Sequence, residues 1–166
     1  MLARHPHLRV LLAHFFFLSF DLPRAARVLD EHPHAGFDLA MGIEYLIALS
    51  QDPEKTREFF LRYADHIYYG TDLSTSWSLP RAEEWAGLIR RFLETDDVWD
   101  LPDWFRGEPR TVRGIALPGA ALEQIYHANF EAFAGARPKA IDLVLTREIE
   151  ERDRALGQTQ QIPSLT

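Results

Sequence analysis

Cysteine is absent from the 166 residues. Disulfides and thiolate metal sites are thereby excluded, and a reducing cytoplasm is the expected compartment. Positive charge is scarce: 18 Lys and Arg stand against 25 Asp and Glu, for a formal net charge of −7. Binding a phosphate backbone calls for the opposite balance, so nucleic acid is not an expected partner. The chain has no run of five like charges, no low-complexity tract and no internal repeat. It also lacks a glycine-rich phosphate loop, which argues against a small nucleotide-binding α/β sheet. No apolar run reaches the ~20 residues that a membrane-spanning helix needs. The nearest is VLLAHFFFLSF (10–20), which follows Arg4 and Arg9 as the apolar part of a signal peptide follows its basic head. His14 interrupts that run, Asp21, Arg24 and Arg27 follow it at once, and no small-x-small cleavage site lies at a suitable distance. A buried strand and no membrane association are expected.

What is present is a globular composition, 46% hydrophobic and 26% charged, with length enough for one domain and a core. LRVLLAHF (8–15) is a continuous branched run, as in a strand buried on both faces. LPRAARVLDEHP follows, with Asp21 as N-cap and Pro23 in the first turn, and predicts a short helix ending at Pro33. AGFDLAMG (35–42) predicts a second strand, and EYLIALS a helical turn. DPEKTREFFLRYAD predicts a helix with Thr56, Phe59, Phe60 and Tyr63 on one face. HIYYGTD predicts a third strand, and residues 80–94 a helix. This alternation is a run of βαβ units, which builds a parallel sheet. Residues 1–95 form these units, 96–118 read as a long loop anchored by aromatics, and 119–157 as C-terminal helices, all within one domain, 1–166.

Two strands end on polar groups that a sheet interior does not need: His14 after VLLA, and Asp72 after YYGT. Burying an acid is costly, whereas the carboxyl ends of parallel strands share one side, where α/β folds build their sites. Taken singly, His14 reads as a hydrogen-bonded core histidine and Asp72 as a cap of the turn after it. Taken together, an imidazole and a carboxylate at one mouth can hold a divalent metal and activate its water, or serve as acid and base without metal. Asp38 lies on the strand between them, Glu44 just past Gly42, and Trp77 in the loop after Asp72, where it can wall a substrate pocket. The triplets His5-Pro6-His7 and His32-Pro33-His34 precede strands and read as turns at the opposite end of the sheet. His127 reads as a surface or packing residue, and Trp85, Trp99 and Trp104 as core and loop anchors.

VLLAHFFFLSFDLPRAARVLDEHP, GFDLAMGIEYL, REFFLRYADHIYYGTDLS and LPGAALEQIYHANFEAFAG together resemble the amidohydrolase-related family of metal-dependent (β/α)8-barrel hydrolases, which has decarboxylases among its relatives. The resemblance covers residues 1–135 and matches the family's elements from the sixth strand to the helix after the eighth. It implies an α/β fold comprising part of a (β/α)8 TIM barrel, about the last three βα units plus C-terminal helices. It also implies a divalent metal, zinc or manganese, and a small-molecule substrate. His14 matches the family histidine at the end of strand six, a metal contact or water activator. Asp72 matches the acid at the end of strand eight, a metal ligand and proton acceptor. Asp38, Glu44 and Trp77 are the candidates for substrate contact.

The family's strand-one ligand pair and strand-five histidine belong upstream of this sequence, and a full barrel takes ~250 residues. Most of the metal's ligands are therefore expected outside this chain, which reads as the carboxyl-terminal part of a longer enzyme, inactive alone. Its expected partner is the missing amino-terminal half or another copy of itself. The alternative is a non-catalytic interaction module, using a sheet edge and the amphipathic helices at 119–156.

Overall fold

The branched run before His14 forms a strand of only three residues. In the computed structural model, which describes residues 4–5, 7–40, 42–102, 111–137 and 143–159, β1 (Val10–Leu12) pairs in parallel with β2 (Ala35–Asp38). β2 pairs in parallel with β3 (Ile67–Tyr68), so the sheet order is β1-β2-β3. Val10 sits opposite Ala35, Leu12 opposite Phe37, and Phe37 opposite Ile67. Parallel neighbours need crossover connections. Here α1 (Leu22–Glu31) joins β1 to β2, while α2 (Ile43–Ser50) and α3 (Pro53–Arg62) join β2 to β3. The chain is thus a mixed α/β protein, as its alternation predicts. The chain divides into two units, Met1–Gly135 and Ala136–Thr166.

The helix starts follow the sequence signals. Asp21 Oδ1 accepts the Arg24 N–H at 3.1 Å and Asp52 Oδ1 the Lys55 N–H at 3.1 Å, each with proline in the first turn. Thr56, Phe59, Phe60 and Tyr63 are buried as the helical spacing predicts, and the Thr56 hydroxyl donates to the Leu49 carbonyl at 2.7 Å. EYLIALS belongs to the full helix α2 rather than a single turn, because Leu46, Ile47 and Leu49 all find the core. α4 (Leu79–Glu94) follows β3 and buries Trp85, Leu88, Ile89, Phe92 and Leu93.

Three further differences from the predicted elements bear on the sheet and its surroundings. The strand expected over 8–15 stops at Leu12, because His14 through Phe17 all take the left-handed backbone, with φ of 51–57°. That turn carries Phe15, fully buried, onto the rings of Phe37, Phe59 and Phe60, at centroid distances of 5.1, 5.7 and 5.9 Å. The loop expected over 96–118 contains a two-stranded antiparallel ribbon, β4 (Val98–Asp100) with β5 (Thr111–Arg113). Trp99 and Val112 face the core from it while their neighbours face outward, the period-two pattern of a half-buried strand. Trp104 lies outside the described residues, as does Pro138, the expected start of the last helix. That helix, α7 (Leu143–Thr159), belongs to the second unit. Among the described residues no helix is long and apolar enough to cross a membrane.

The third difference governs the sheet's edge. The helix expected over 119–134 is α5 (Gly119–Glu123), a π-turn (Gln124–Ala128) and α6 (Asn129–Ala134), closed by Gly135 at φ 99°. Alternate residues of a strand turn their peptide groups to opposite sides, and Tyr68 C=O accepts the N–H of Leu39, the residue just after β2. Ile67 C=O and Tyr69 N–H therefore face away from β2. Tyr69 N–H donates to Ile125 C=O in the π-turn at 2.9 Å, and Asn129 Nδ2 donates to Ile67 C=O and Ala64 C=O, each at 2.7 Å. The outer edge of β3 is thus covered by a helix. β1 is different: Val10 N–H donates to His34 C=O at 3.1 Å, so Leu11 is the residue whose peptide groups face away from β2. Among the described residues nothing pairs with them.

Asn129→Ala strands two carbonyls at once, and each buried unpaired acceptor costs about 1–3 kcal/mol. A loss of roughly 2–3 kcal/mol is expected in urea-induced unfolding. A loss within the scatter of surface substitutions, about 0.5 kcal/mol, would show that the Asn129 bridge does not hold the edge.

Candidate functional site

The three strands run in one direction, so His14, Asp38 and Asp72 emerge at one end of the sheet. β2 lies between β1 and β3. With neighbouring strands ~4.8 Å apart, the two outer ends are about 10 Å from each other. The structure accordingly sorts the candidates into two groups.

The first is centred on Asp38. Its Oδ1 accepts the backbone N–H of His14 at 2.8 Å and that of Ala40 at 3.1 Å. The His14 ring returns the contact, its Nδ1 meeting the Ala40 carbonyl. A carbonyl accepts, so this Nδ1 carries a proton, which leaves Nε2 as the lone-pair nitrogen of the neutral ring. Asp38 thus clamps the left-handed turn to the end of β2, and the turn in turn fixes the orientation of His14. Neither residue lines the cleft described next.

The second group surrounds a cleft of about 200 Å³ lined by Gly42, Ile43, Glu44, Asp72, Trp77, Arg81 and Trp85. It brings together three of the predicted residues, Glu44, Asp72 and Trp77. The approach depends on Gly70: a Cβ there would stand 3.0 Å from Ala40 Cβ and 3.1 Å from Ala40 N, so a larger residue would push the ends of β2 and β3 apart. Asp72 is exposed and takes φ 50°, a left-handed conformation that Asp tolerates better than most residues. Just before it, Thr71 C=O accepts the indole N–H of Trp85 at 2.7 Å, tying the turn to α4. Among the described residues the Asp72 carboxylate takes no hydrogen bond, so capping is not its task. Glu44 stands in the first turn of α2, with a carboxylate oxygen 2.6 Å from where a Gly42 Cβ would lie. The Arg81 guanidinium stacks over the Trp77 ring, 4.4 Å from its centroid.

Arg81 and Trp85 were not among the sequence candidates. A signal for the pair exists, since Arg81 and Trp85 are spaced by four on the helix that follows Trp77, the interval that stacks side chains along one helix face. The remaining candidates lie elsewhere. His34 precedes β2 and lends its carbonyl to Val10 of β1, with its ring 6.4 Å from that of His7, while exposed His127 pairs with Glu123 at 2.9 Å. Trp85 and Trp99 are buried, as their anchoring role requires. A second cleft, beside the first turn of α3, is lined by Glu54, Arg57, Asp96 and Arg113 among others. Its cations serve the fold: Arg57 holds the carbonyls of Ile115 and Ala116, and Arg113 pairs with Glu54 at 3.7 Å.

Beside the sheet's covered edge, Tyr126 donates to Glu94 Oε1 at 2.7 Å, and Arg90 Nε donates to the same oxygen at 2.9 Å. Burial and the bond to Glu94 push the Tyr126 hydroxyl far above its ordinary value, and that same bond holds Glu94 below the usual range. The cluster braces α4 against the π-turn.

As donors for a metal, His14 Nε2 and the Asp72 carboxylate are of the right chemical kind, and the Nδ1 contact to a carbonyl is the usual support of a ligating imidazole. Their number is too small. Among the described residues no three His, Cys, Asp or Glu side chains come together to hold an ion. Comparison of the chain with family models, characterised proteins and solved structures finds no match.

Proposed function

We propose that this chain is the carboxyl-terminal part of a metal-dependent amidohydrolase-type (β/α)8 barrel, or of a decarboxylase relative, acting on a small molecule. The observation that carries the proposal is the shared direction of the three strands, which puts the polar ends His14, Asp38 and Asp72 on one side of the sheet, with Asp72 in a cleft that Trp77 also lines. His14 and Asp72 would supply two ligands of a divalent zinc or manganese ion, with the rest of the shell coming from outside the described residues. Such an ion lowers the pKa of a bound water and polarises a carbonyl. Of the chain's own groups, Asp72 accepts the proton of the attacking water, His14 orients through Nε2 with its ring pinned at Ala40, and Asp38 keeps that turn in place. Glu44 and Trp77 wall the substrate side. The three strands alone turn over nothing.

The edges set conditions on this reading. A further strand can join the sheet beside Leu11 of β1, whereas one beside β3 has to displace Ile125 and Asn129. The alternative, an interaction module, loses part of its surface for the same reason: the face of the 119–134 helix is spent on its own sheet. An antibody against 119–134, used on a lysate of the natural source, tests the proposal. A band well above 19.2 kDa, near twice that mass, is expected; a band at 19.2 kDa alone overturns it.

A further inference from the structure

The cleft beside Asp72 holds two carboxylates, Asp72 and Glu44, against one cation, Arg81. That cation lies over the Trp77 ring, its central carbon 4.4 Å from the centroid. The face of an indole attracts cations, and a planar guanidinium stacks on it better than an ammonium does. Trp85, the other indole lining the cleft, is only 3% exposed and spends its N–H on Thr71 C=O, so Trp77 offers the accessible ring. The volume, about 200 Å³, is below the ~300–1,000 Å³ of sites for drug-sized ligands, which limits an occupant to a small molecule.

We infer that the Trp77 face is a cation subsite, held in this structure by the protein's own Arg81, and that the ligand it takes is a small planar organic cation of the guanidinium or amidinium class. Such a ligand displaces the Arg81 head group from the ring and sets its N–H groups toward Asp72 and Glu44, where carboxylates accept them in charge-assisted bonds. Arg81 therefore acts as a competitor for the subsite rather than as a receptor for substrate anions. The inference names the ligand class of the cleft proposed above as the substrate side. It rests on that assignment of the cleft but not on turnover.

Benzamidinium and benzoate, nearly equal in shape and opposite in charge, separate the possibilities by calorimetric titration of the full chain at low salt. Benzamidinium is expected to bind saturably and benzoate not to. Arg81→Ala removes the internal competitor and is expected to tighten benzamidinium binding about 2- to 5-fold, the worth of an exposed cation–π contact. Trp77→Leu is expected to abolish the binding. Arg81 is exposed in the first turn of α4 and Trp77 is half-buried in the loop before it, and far-UV circular dichroism checks that each variant keeps its fold. Preferential binding of benzoate, weakened by Arg81→Ala, would overturn the inference by showing an anion receptor. Failure of both probes would overturn it too, and neither result bears on whether the chain belongs to a longer barrel.

Discussion

Phe15→Ala is expected to destabilise the first unit by about 3–5 kcal/mol, the cost of emptying a fully buried aromatic site. The magnitude follows from what Phe15 offsets. Four consecutive residues, His14 to Phe17, hold positive φ, and the left-handed backbone costs roughly 1–2 kcal/mol for each L-residue. Two hydrogen bonds, Phe16 N–H to Ala13 C=O at 2.9 Å and Leu18 N–H to Phe15 C=O at 3.0 Å, do not balance that strain. The Phe15 ring, fully buried against Phe37, Phe59 and Phe60, supplies the remainder through burial and aromatic contact, and the Asp38 clamp on His14 N–H adds to it. Without the ring the turn loses its main support, and the segment is free to extend β1. The neighbours provide the control. Phe16 and Phe17 are 45% and 55% exposed, and Phe16→Gly removes strain without emptying a cavity, so it is expected to be neutral or stabilising. Urea unfolding followed by tryptophan fluorescence measures both. Equal effects from Phe15→Ala and Phe16→Gly would show that Phe15 does not anchor the turn.

That turn also marks where the sequence stopped being legible. His14-Phe15-Phe16-Phe17 favours extended backbone by every local preference, and its left-handed course is imposed by partners 22 to 45 residues away in Phe37, Phe59 and Phe60. The parallel sheet was legible because alternation of apolar runs with capped helices is local: Asp21 and Asp52 cap as written, and α3 buries the face its spacing defines. The ribbon β4–β5 was hidden by the prolines, glycine and tryptophans around it, although TVR and VWD alternate as strands do. The π-turn has no sequence mark, since it arises where the helix meets the Tyr69 N–H. At the site, Asp72, Trp77 and Glu44 were legible from their position after strands. Arg81 and Trp85 were not, because a helix following the loop looked like packing alone.

Asp72 is expected to dissociate stability from activity. Its φ of 50° suits glycine best, asparagine and aspartate next, and β-branched residues worst. The side chain is exposed and, among the described residues, takes no hydrogen bond, so substitution changes little besides backbone strain and charge. Asp72→Asn should leave the unfolding midpoint of the chain unchanged. Asp72→Gly should shift stability by no more than about 1 kcal/mol, relief of strain opposing the extra freedom of the unfolded glycine. Asp72→Val should lose about 1–2 kcal/mol. Turnover follows a different order. In the complete barrel proposed above, all three variants lack the proton acceptor and should lose about 10²- to 10⁴-fold in kcat, the usual contribution of a general base. The stable Asn and Gly variants should therefore be as impaired as Val. A turn residue behaves otherwise, with activity retained in Asn and Gly and lost only where the fold is strained. Thermal unfolding of the chain and steady-state kinetics of the longer enzyme, measured on the same three substitutions, distinguish the two roles. Retained turnover in Asp72→Gly would assign Asp72 to the turn and remove the proton acceptor from the proposal.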